Sequence, residues 1–369
     1  MKVLFLIIVL MHGLIHSLGF VKAFGLKEVK ELTLPISKPV GIVWLSATVL
    51  ILIYAFLYFI NHKQAWLFGL ISVIISQLLI FYFWKDARFG TLPNLIVLAV
   101  ALVSLGSYLM HQEFIHRVRQ DFTENNDLST NLLTENDIVH LPLSVQKYLH
   151  YTKSVGQPKV KNFSAEFIGR MRSKPEDKYM NLHSVQYNFY KKPSRYFYMS
   201  ASKMGLPATG LHLYQNETST FEVKLLNWFK VVDAAGDKMN QAETVTLLND
   251  MCFIAPPTLI DDRIKWEIID DKKVKAMYQN GSISVSAVLY FNDKGELVNF
   301  ISNDRYDTNG KKYESYPWAT PVENYRMMNG YLLPGKAQLI YQRPDGDFTY
   351  GELEFKNVEY NLAGIEDNK

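Results

Sequence analysis

"SISVSAVLYF", residues 282 to 291, decides how the larger part of this chain must fold. Side chains alternate across a strand, so Ile283, Val285, Leu289 and Phe291 take one face while Val288 and Tyr290 take the other. A sheet with one wet face carries polar residues at every second position, and this segment does not. Both faces need cover, either from a second layer or from a sheet that curls into a half-barrel around an apolar concavity. "RYFYM" (195 to 199) has the same two-faced character, which adds Tyr196 and Tyr198 to Val288 and Tyr290 as candidate lining of such a concavity.

Outward from this strand the period of two recurs. "NFSAEFIGRMR" (162 to 172) sets Phe163, Ala165, Phe167, Gly169 and Met171 against Ser164, Glu166, Ile168, Arg170 and Arg172. Similar runs occupy 179–190, 195–203, 208–216, 219–225, 228–233, 263–270, 273–279, 296–306, 320–329, 335–343 and 347–359. Turn signals separate them: "KKPSR", "DAAGDK", "NDKG", "RPDGD" and the Asn-Gly pairs at 280 and 309. The fold class expected for residues 140–369 is a mainly antiparallel β domain, a half-barrel-like sheet. One helix interrupts it: "NQAETVTLLNDMC" reads as capped by Asn240 with Glu243 three residues on, one face of Ala242, Val245, Leu248 and Cys252, and a stop at Pro256 and Pro257. A shorter amphipathic helix is expected over 141–154.

The first 110 residues are of another kind. "VLFLIIVLMHGLIHSLGFV" (3–21), "VGIVWLSATVLILIYAFLYFI" (40–60), "QAWLFGLISVIISQLLIFYFW" (64–84) and "FGTLPNLIVLAVALVSLGSYLM" (89–110) are uncharged and long enough to cross a hydrocarbon core of about 30 Å. They predict an all-α membrane bundle of four helices, with the first retained rather than cleaved as a signal peptide. Lys2, Lys63, Arg117 and Arg119 lie on one side of these spans, and Lys22, Lys27, Lys30, Lys38, Lys85 and Arg88 on the other. By the positive-inside rule the first and third loops are cytoplasmic, so the chain is a multi-pass inner-membrane protein with an extracytoplasmic β domain. Residues 111–139, polar and rich in Asn, Asp, Thr and Ser, read as a linker.

Composition narrows function by exclusion. With 39 Lys and Arg against 36 Asp and Glu, interspersed, no basic face exists for nucleic acid. The single cysteine, Cys252, rules out an internal disulfide and a multi-cysteine zinc site. G-x-S-x-G, P-loop, G-x-G-x-x-G and H-E-x-x-H patterns are missing, so neither a catalytic residue nor a cofactor is expected. Ser144 with Lys147 and Ser200 with Lys203 match a serine–lysine spacing at the chance level. Asp261/Asp262 and Asp270/Asp271 are adjacent pairs that point opposite ways at strand ends, and "DRYDTNG" (304–310) reads as a hairpin turn rather than a calcium loop.

Two constellations stand out. His12 and His16 are one helical turn apart in the first span, a spacing that serves a metal or haem, or else packs imidazoles against neighbouring helices beside Gly13 and Gly19. "SYPWATPVENYRMMNGYLLPGKA" (315–337) surrounds Arg326 with Trp318, Tyr325 and Tyr331, the composition of a ligand lip or of an aromatic-capped strand pair.

In "LPLSVQKYLHYTKSVGQPKVKNF", "GLPATGLHLY", "VVDAAGDKMNQAETVTLLNDM", "APPTL", "IKWEIIDD" and the 315–337 stretch, the chain resembles a family of bacterial membrane proteins that share a domain of unknown function. The likeness runs over residues 140 to 360 and implies no activity. The strand order with an inserted helix also resembles the lipoprotein-carrier half-barrel, in architecture alone, which implies a concave sheet that shields acyl chains. The expected function is a membrane-anchored, non-catalytic binding protein for a lipid, lipoprotein or other apolar ligand. Alternatives are a structural or sensory protein whose β domain recognises another protein, favoured by a filled core and an exposed lip at Trp318 and Tyr331, and a haem or metal protein using His12 and His16.

Overall fold

The computed structural model describes residues 2–125, 131–203, 205–308 and 312–365; the expected turn at Asn309-Gly310 lies outside them. Two units emerge, residues 1–110 and 111–369.

The first unit is helical. It contains α1 (Lys2–Ala23), α2 (Lys38–Phe59), α3 (Ala65–Tyr82), the single turn α4 (Trp84–Ala87) and the first part of α5 (Thr91–Glu124). Four helices, the last counted from Trp84, are long and apolar enough to cross a membrane. Small residues set the packing of α1 on α2: a Cβ added at Gly19 would stand 2.2 Å from the Trp44 indole. Phe5, Val9, Ile51, Tyr54 and Val97 fill the interior, while Leu4, Ile7, Ile74, Leu78 and Phe81 face outward, the pattern of a bundle solvated by acyl chains. Asp86 closes one end by accepting hydrogen bonds from Thr33 N (2.6 Å), Thr33 Oγ1 (2.7 Å) and Leu34 N (2.9 Å).

The second unit is a 14-stranded antiparallel sheet that curls into a half-barrel. Its first half comprises β1 (Asn162–Met171), β2 (Met180–Phe189), β3 (Ser194–Lys203), β4 (Leu206–Gln215), β5 (Thr218–Leu225) and β6 (Phe229–Ala235). The second half comprises β7 (Ile264–Asp270), β8 (Lys273–Asn280), β9 (Ile283–Phe291), β10 (Leu297–Ser302), the short β13 (Trp318–Ala319) and β14 (Val322–Glu323), β17 (Lys336–Arg343) and β18 (Gly346–Tyr360). Two small ribbons, β11 (Tyr306–Thr308) with β12 (Tyr313–Ser315) and β15 (Arg326–Met328) with β16 (Tyr331–Leu333), stand apart. The order β6-β5-β4-β3-β2-β1-β18-β17-β13-β10-β9-β8-β7 joins the halves by pairing the first strand with the last. Register shifts at Glu166/Phe167 and Leu339/Ile340 bend the sheet near its middle, where β1, β18 and β17 meet.

Helix α8 (Asp237–Phe253) lies inside the curl and is buried on nearly every side. Sequence periodicity predicted a single buried face; a curved sheet surrounds the helix instead, so Glu243, Thr244, Asn249 and Asp250 are inside with Val245, Leu248 and Met251. The expected capping box is also absent. The helix starts at Asp237 after Gly236, whose φ of 94° favours glycine, and Asn240 within it accepts a hydrogen bond from Ser219 N (2.7 Å). Helix α7 (Leu143–Tyr151) matches its expectation, and its Tyr148 donates to Cys252 O (2.7 Å) at the end of α8.

The stretch read as a polar linker, 111–139, is largely structured where it is described. Helix α5 continues to Glu124, and from His111 onward it belongs to the β unit, packing on the convex face of β2 to β4. Phe114 meets Tyr187 and Tyr198 with ring centroids 5.9 and 5.7 Å apart, and Phe122 meets Phe189 at 4.9 Å. Asp121, 1% exposed, accepts from Tyr196 Oη (2.8 Å), Gln215 Nε2 (3.1 Å) and Ser194 Oγ. One further turn, α6 (Glu135–Ile138), carries a Thr134/Asp137 capping box. The run 320–329 is a departure of another kind: Pro321 and the positive φ of Asn324 (60°) and Asn329 (45°) break it into β14 and β15.

Candidate ligand cavity

Strands alternate, and in β3 the odd-numbered side chains Arg195, Phe197, Met199 and Ala201 point into the curl. With β1, β2, β4 to β6, β17 and β18 on one side and α8 on the other, they enclose a cavity of about 590 Å³. Its walls are mainly apolar: Phe197, Met199, Ala208, Val223, Leu339 and Phe348 are typical. Gly210 is part of the construction, because a Cβ there would stand 2.3 Å from Met199 Cε.

One wall is polar and buried. Arg195 donates to Glu243 Oε1 (2.6 Å), Asp250 Oδ2 (2.8 Å) and Gln186 Oε1 (2.9 Å), and Asp250 also accepts from Gln186 Nε2 (2.7 Å) and Asn188 Nδ2 (2.9 Å). One guanidinium thus lies between two carboxylates, the arrangement that makes buried charges tolerable. Burial alone would raise the Glu243 carboxyl, but His212 and Arg195 beside it hold it down at about 2. Burial pushes the His212 imidazole down, and the Glu243 carboxylate beside it acts in the opposite direction. Asp250 is raised by burial in spite of Arg195 and Asn188.

His212 stands near both Ser219 and Glu243, yet this is not a hydrolytic triad. Ser219 Oγ (3.2 Å) and Glu243 Oε2 (3.0 Å) both approach Nε2, whereas a triad needs the acid on one ring nitrogen and the nucleophile on the other. Among the described residues Glu243 Oε2 accepts no other hydrogen bond, so its contact with His212 at 3.0 Å is the one that oxygen has.

A second guanidinium reaches the same space. Arg305, between β10 and β11, lies 4.5 Å over the Trp318 ring and donates to Thr246 Oγ1 (3.2 Å) and to Tyr341 Oη. Of the eight residues predicted to touch ligand, Trp318 alone lines this cavity. Tyr196 and Tyr198 point the other way, against α5. Val288 and Tyr290 sit half-buried on the outer face of β9, whose alternate residues Val285, Leu289 and Phe291 join the core. Tyr325, Arg326 and Tyr331 are bonded to the backbone: Tyr325 to Leu297 O (2.7 Å), Arg326 to Phe355 O and Tyr331 to Pro158 O (3.1 Å). The aromatic lip is therefore an internal brace, with Trp318 and Tyr331 both buried.

In the helical unit, His12 Nε2 is 2.8 Å from Asn94 Oδ1 and His16 Nε2 is 2.8 Å from Ser76 Oγ. Ser76 Oγ also donates to Asn94 Oδ1 (3.0 Å), and Asn94 Nδ2 donates to Gln77 Oε1 (3.0 Å). The histidines thus bind α1 to α3 and α5 through neutral groups. Among the described residues no cluster of three or more His, Cys, Asp or Glu is placed to share a metal ion.

Sequence offered little chance of finding this cavity wall. Arg195, Glu243, Asp250 and Arg305 are scattered, and the only hint was that charged residues fall within otherwise apolar strand and helix faces.

Two solved structures are similar at low identity. A DUF1329 family protein from Desulfovibrio piger shares 12% identity with a TM-score of 0.36, over 61% of this chain and 94% of that one. A LolA superfamily protein from Nitrosomonas europaea shares 10% identity with a TM-score of 0.29, over 58% of this chain and 93% of that one. No curated protein matches the sequence. The model of a family of unknown function, DUF6544, matches residues 131–353, more than half of the chain, and the protein belongs to that family.

Proposed function

We propose that this is a membrane-anchored, non-catalytic binding protein whose β domain takes up an apolar ligand, the acyl chain of a lipid or lipoprotein, inside the half-barrel. The observation that carries the reading is the cavity: about 590 Å³ of largely apolar space between the sheet and α8, within the range of about 300–1,000 Å³ typical of small-molecule sites. A protein-recognition surface is supported less, because the aromatic residues that would form its lip are buried. The excess of Lys and Arg around the first and third loops supports placing the β domain outside the cytoplasm.

The test uses the full chain, purified in a sterol-based detergent without added lipid, and examined by native mass spectrometry with organic extraction. One lipid adduct per chain is expected, lost on Ala201→Trp, which fills the cavity. A clean apo mass from folded wild-type chain, with no uptake of added fatty acid, overturns the reading.

A further inference from the structure

The cavity is not uniformly apolar, and its polar groups are unequal. Around Trp318, Tyr341 and Phe348 the structure gathers Arg172, Arg305 and Arg343, each over an aromatic face: Arg305 at 4.5 Å from the Trp318 centroid, Arg343 at 4.2 Å and Arg172 at 5.5 Å from that of Phe348. Among the described residues only Arg343 of the three has a carboxylate in contact, Asp307 at 2.5 Å. Arg172 donates to backbone oxygens, Thr349 O (3.0 Å) and Pro175 O (2.6 Å). Arg305 donates to two hydroxyls, and among the described residues its Nη2 donates to nothing. The carboxylates of Glu243 and Asp307 are in contact with Arg195 (2.6 Å) and Arg343 and act on Arg305 only from beyond contact distance.

A guanidinium carries five donors in a fork that matches a carboxylate or phosphate. Placing one inside an apolar cavity with no carboxylate in contact leaves its desolvation only partly compensated, and an anionic ligand in contact would reduce that penalty. Arg305 lies over Trp318 with Nε and Nη1 engaged by Thr246 and Tyr341, which leaves Nη2 to meet a ligand oxygen. We infer that the cavity is built for a single-chain amphiphile with an anionic oxygen head, carboxylate or phosphate, the chain lying among Phe197, Met199 and Val223 and the head at Arg305, with Arg172 adding positive charge at the rim. This rests on the cavity reading above and adds the chemical class of the ligand.

The experiment compares hexadecanoate, hexadecyl phosphate and hexadecanol, each radiolabelled, binding to the full chain in digitonin, which has no alkyl chain to compete. At least one anion is expected to bind about tenfold or more tighter than the alcohol, and which anion wins separates a carboxylate from a phosphate head. Arg305→Gln is expected to bring the anions down to the level of hexadecanol while leaving hexadecanol unchanged, and Arg305→Lys to keep part of the preference. Equal binding of all three to wild-type chain overturns the anionic head and leaves the cavity reading standing. Binding of none overturns both. The head-group ratio of the wild-type chain reads the proposal even where a variant does not fold.

Discussion

Replacing Arg195 by Met tests whether the buried polar wall is organised as described. Arg195 is 6% exposed, Glu243 0% and Asp250 6%, and the guanidinium contacts both carboxylates at 2.6 and 2.8 Å. Methionine matches much of its length but strands two buried anions. Breaking one buried pair costs about 3–5 kcal/mol, and for a domain of this size each kcal/mol lowers the melting temperature by roughly 2–4 °C. The expected drop is therefore about 6 °C or more, measured on the full chain by tryptophan emission during heating at pH 7. The pH dependence supplies a second reading. In the wild-type chain Glu243 is held at about 2 against an ordinary value of 4.5, so its contribution is complete above pH 4.5 and is lost as pH falls toward 2. The shift corresponds to an upper figure of about 3 kcal/mol, which Asp250, raised by burial, offsets in part. Without Arg195 burial is opposed less and both carboxyls are expected to rise, so the variant should gain more stability than the wild type on going from pH 7 to pH 5. A variant that melts within about 2 °C of wild type, with an unchanged pH slope, refutes the reasoning.

Three further substitutions probe other parts of the molecule. Asp121→Ala removes the acceptor shared by Ser194, Tyr196 and Gln215, and should cost about 1–3 kcal/mol, seen as faster amide exchange in β3. Gly169→Ala places a Cβ 2.1 Å from Glu352 O across the β1–β18 pair, so the strands must separate; a loss of roughly 1–3 kcal/mol in thermal unfolding is expected, and an unaltered melt would show that the sheet yields there freely. Ser76→Ala deletes the hydroxyl between His16 and Asn94 and should weaken the helical unit by about 0.6–2 kcal/mol, read by detergent-induced unfolding. Detergent extracts of the same chain are expected to show no Soret band, and one that disappears in His16→Ala would instead assign the pair to haem.

Much of the architecture was legible because it depends on local pattern. The β3 and β9 strands announced two apolar faces, and the half-barrel with an enclosed helix follows from the need to cover both. Reading which face is concave was harder. Tyr196 and Tyr198 look as fit for ligand as Phe197 and Met199, and only their burial against Phe114 and Asp121 separates them. Helix α5 was missed beyond residue 110 because Asp121 and Asn125 occupy its inner face, where Phe114 and Val118 continue the helical spacing; polar side chains that find partners on a sheet look like linker when those partners are out of view.

The sequence by itself determined the four apolar spans, the change of period from 3.6 to 2 and the place of the inserted helix, since each rests on neighbours within a turn or a strand. Tertiary structure alone decided the site. Arg195 and Asp250 come from β3 and α8 and pair at the cavity wall, while Arg305 reaches the same cavity from the segment between β10 and β11. Charges far apart in the chain become partners only after the sheet has closed around them and excluded water, which no local pattern records.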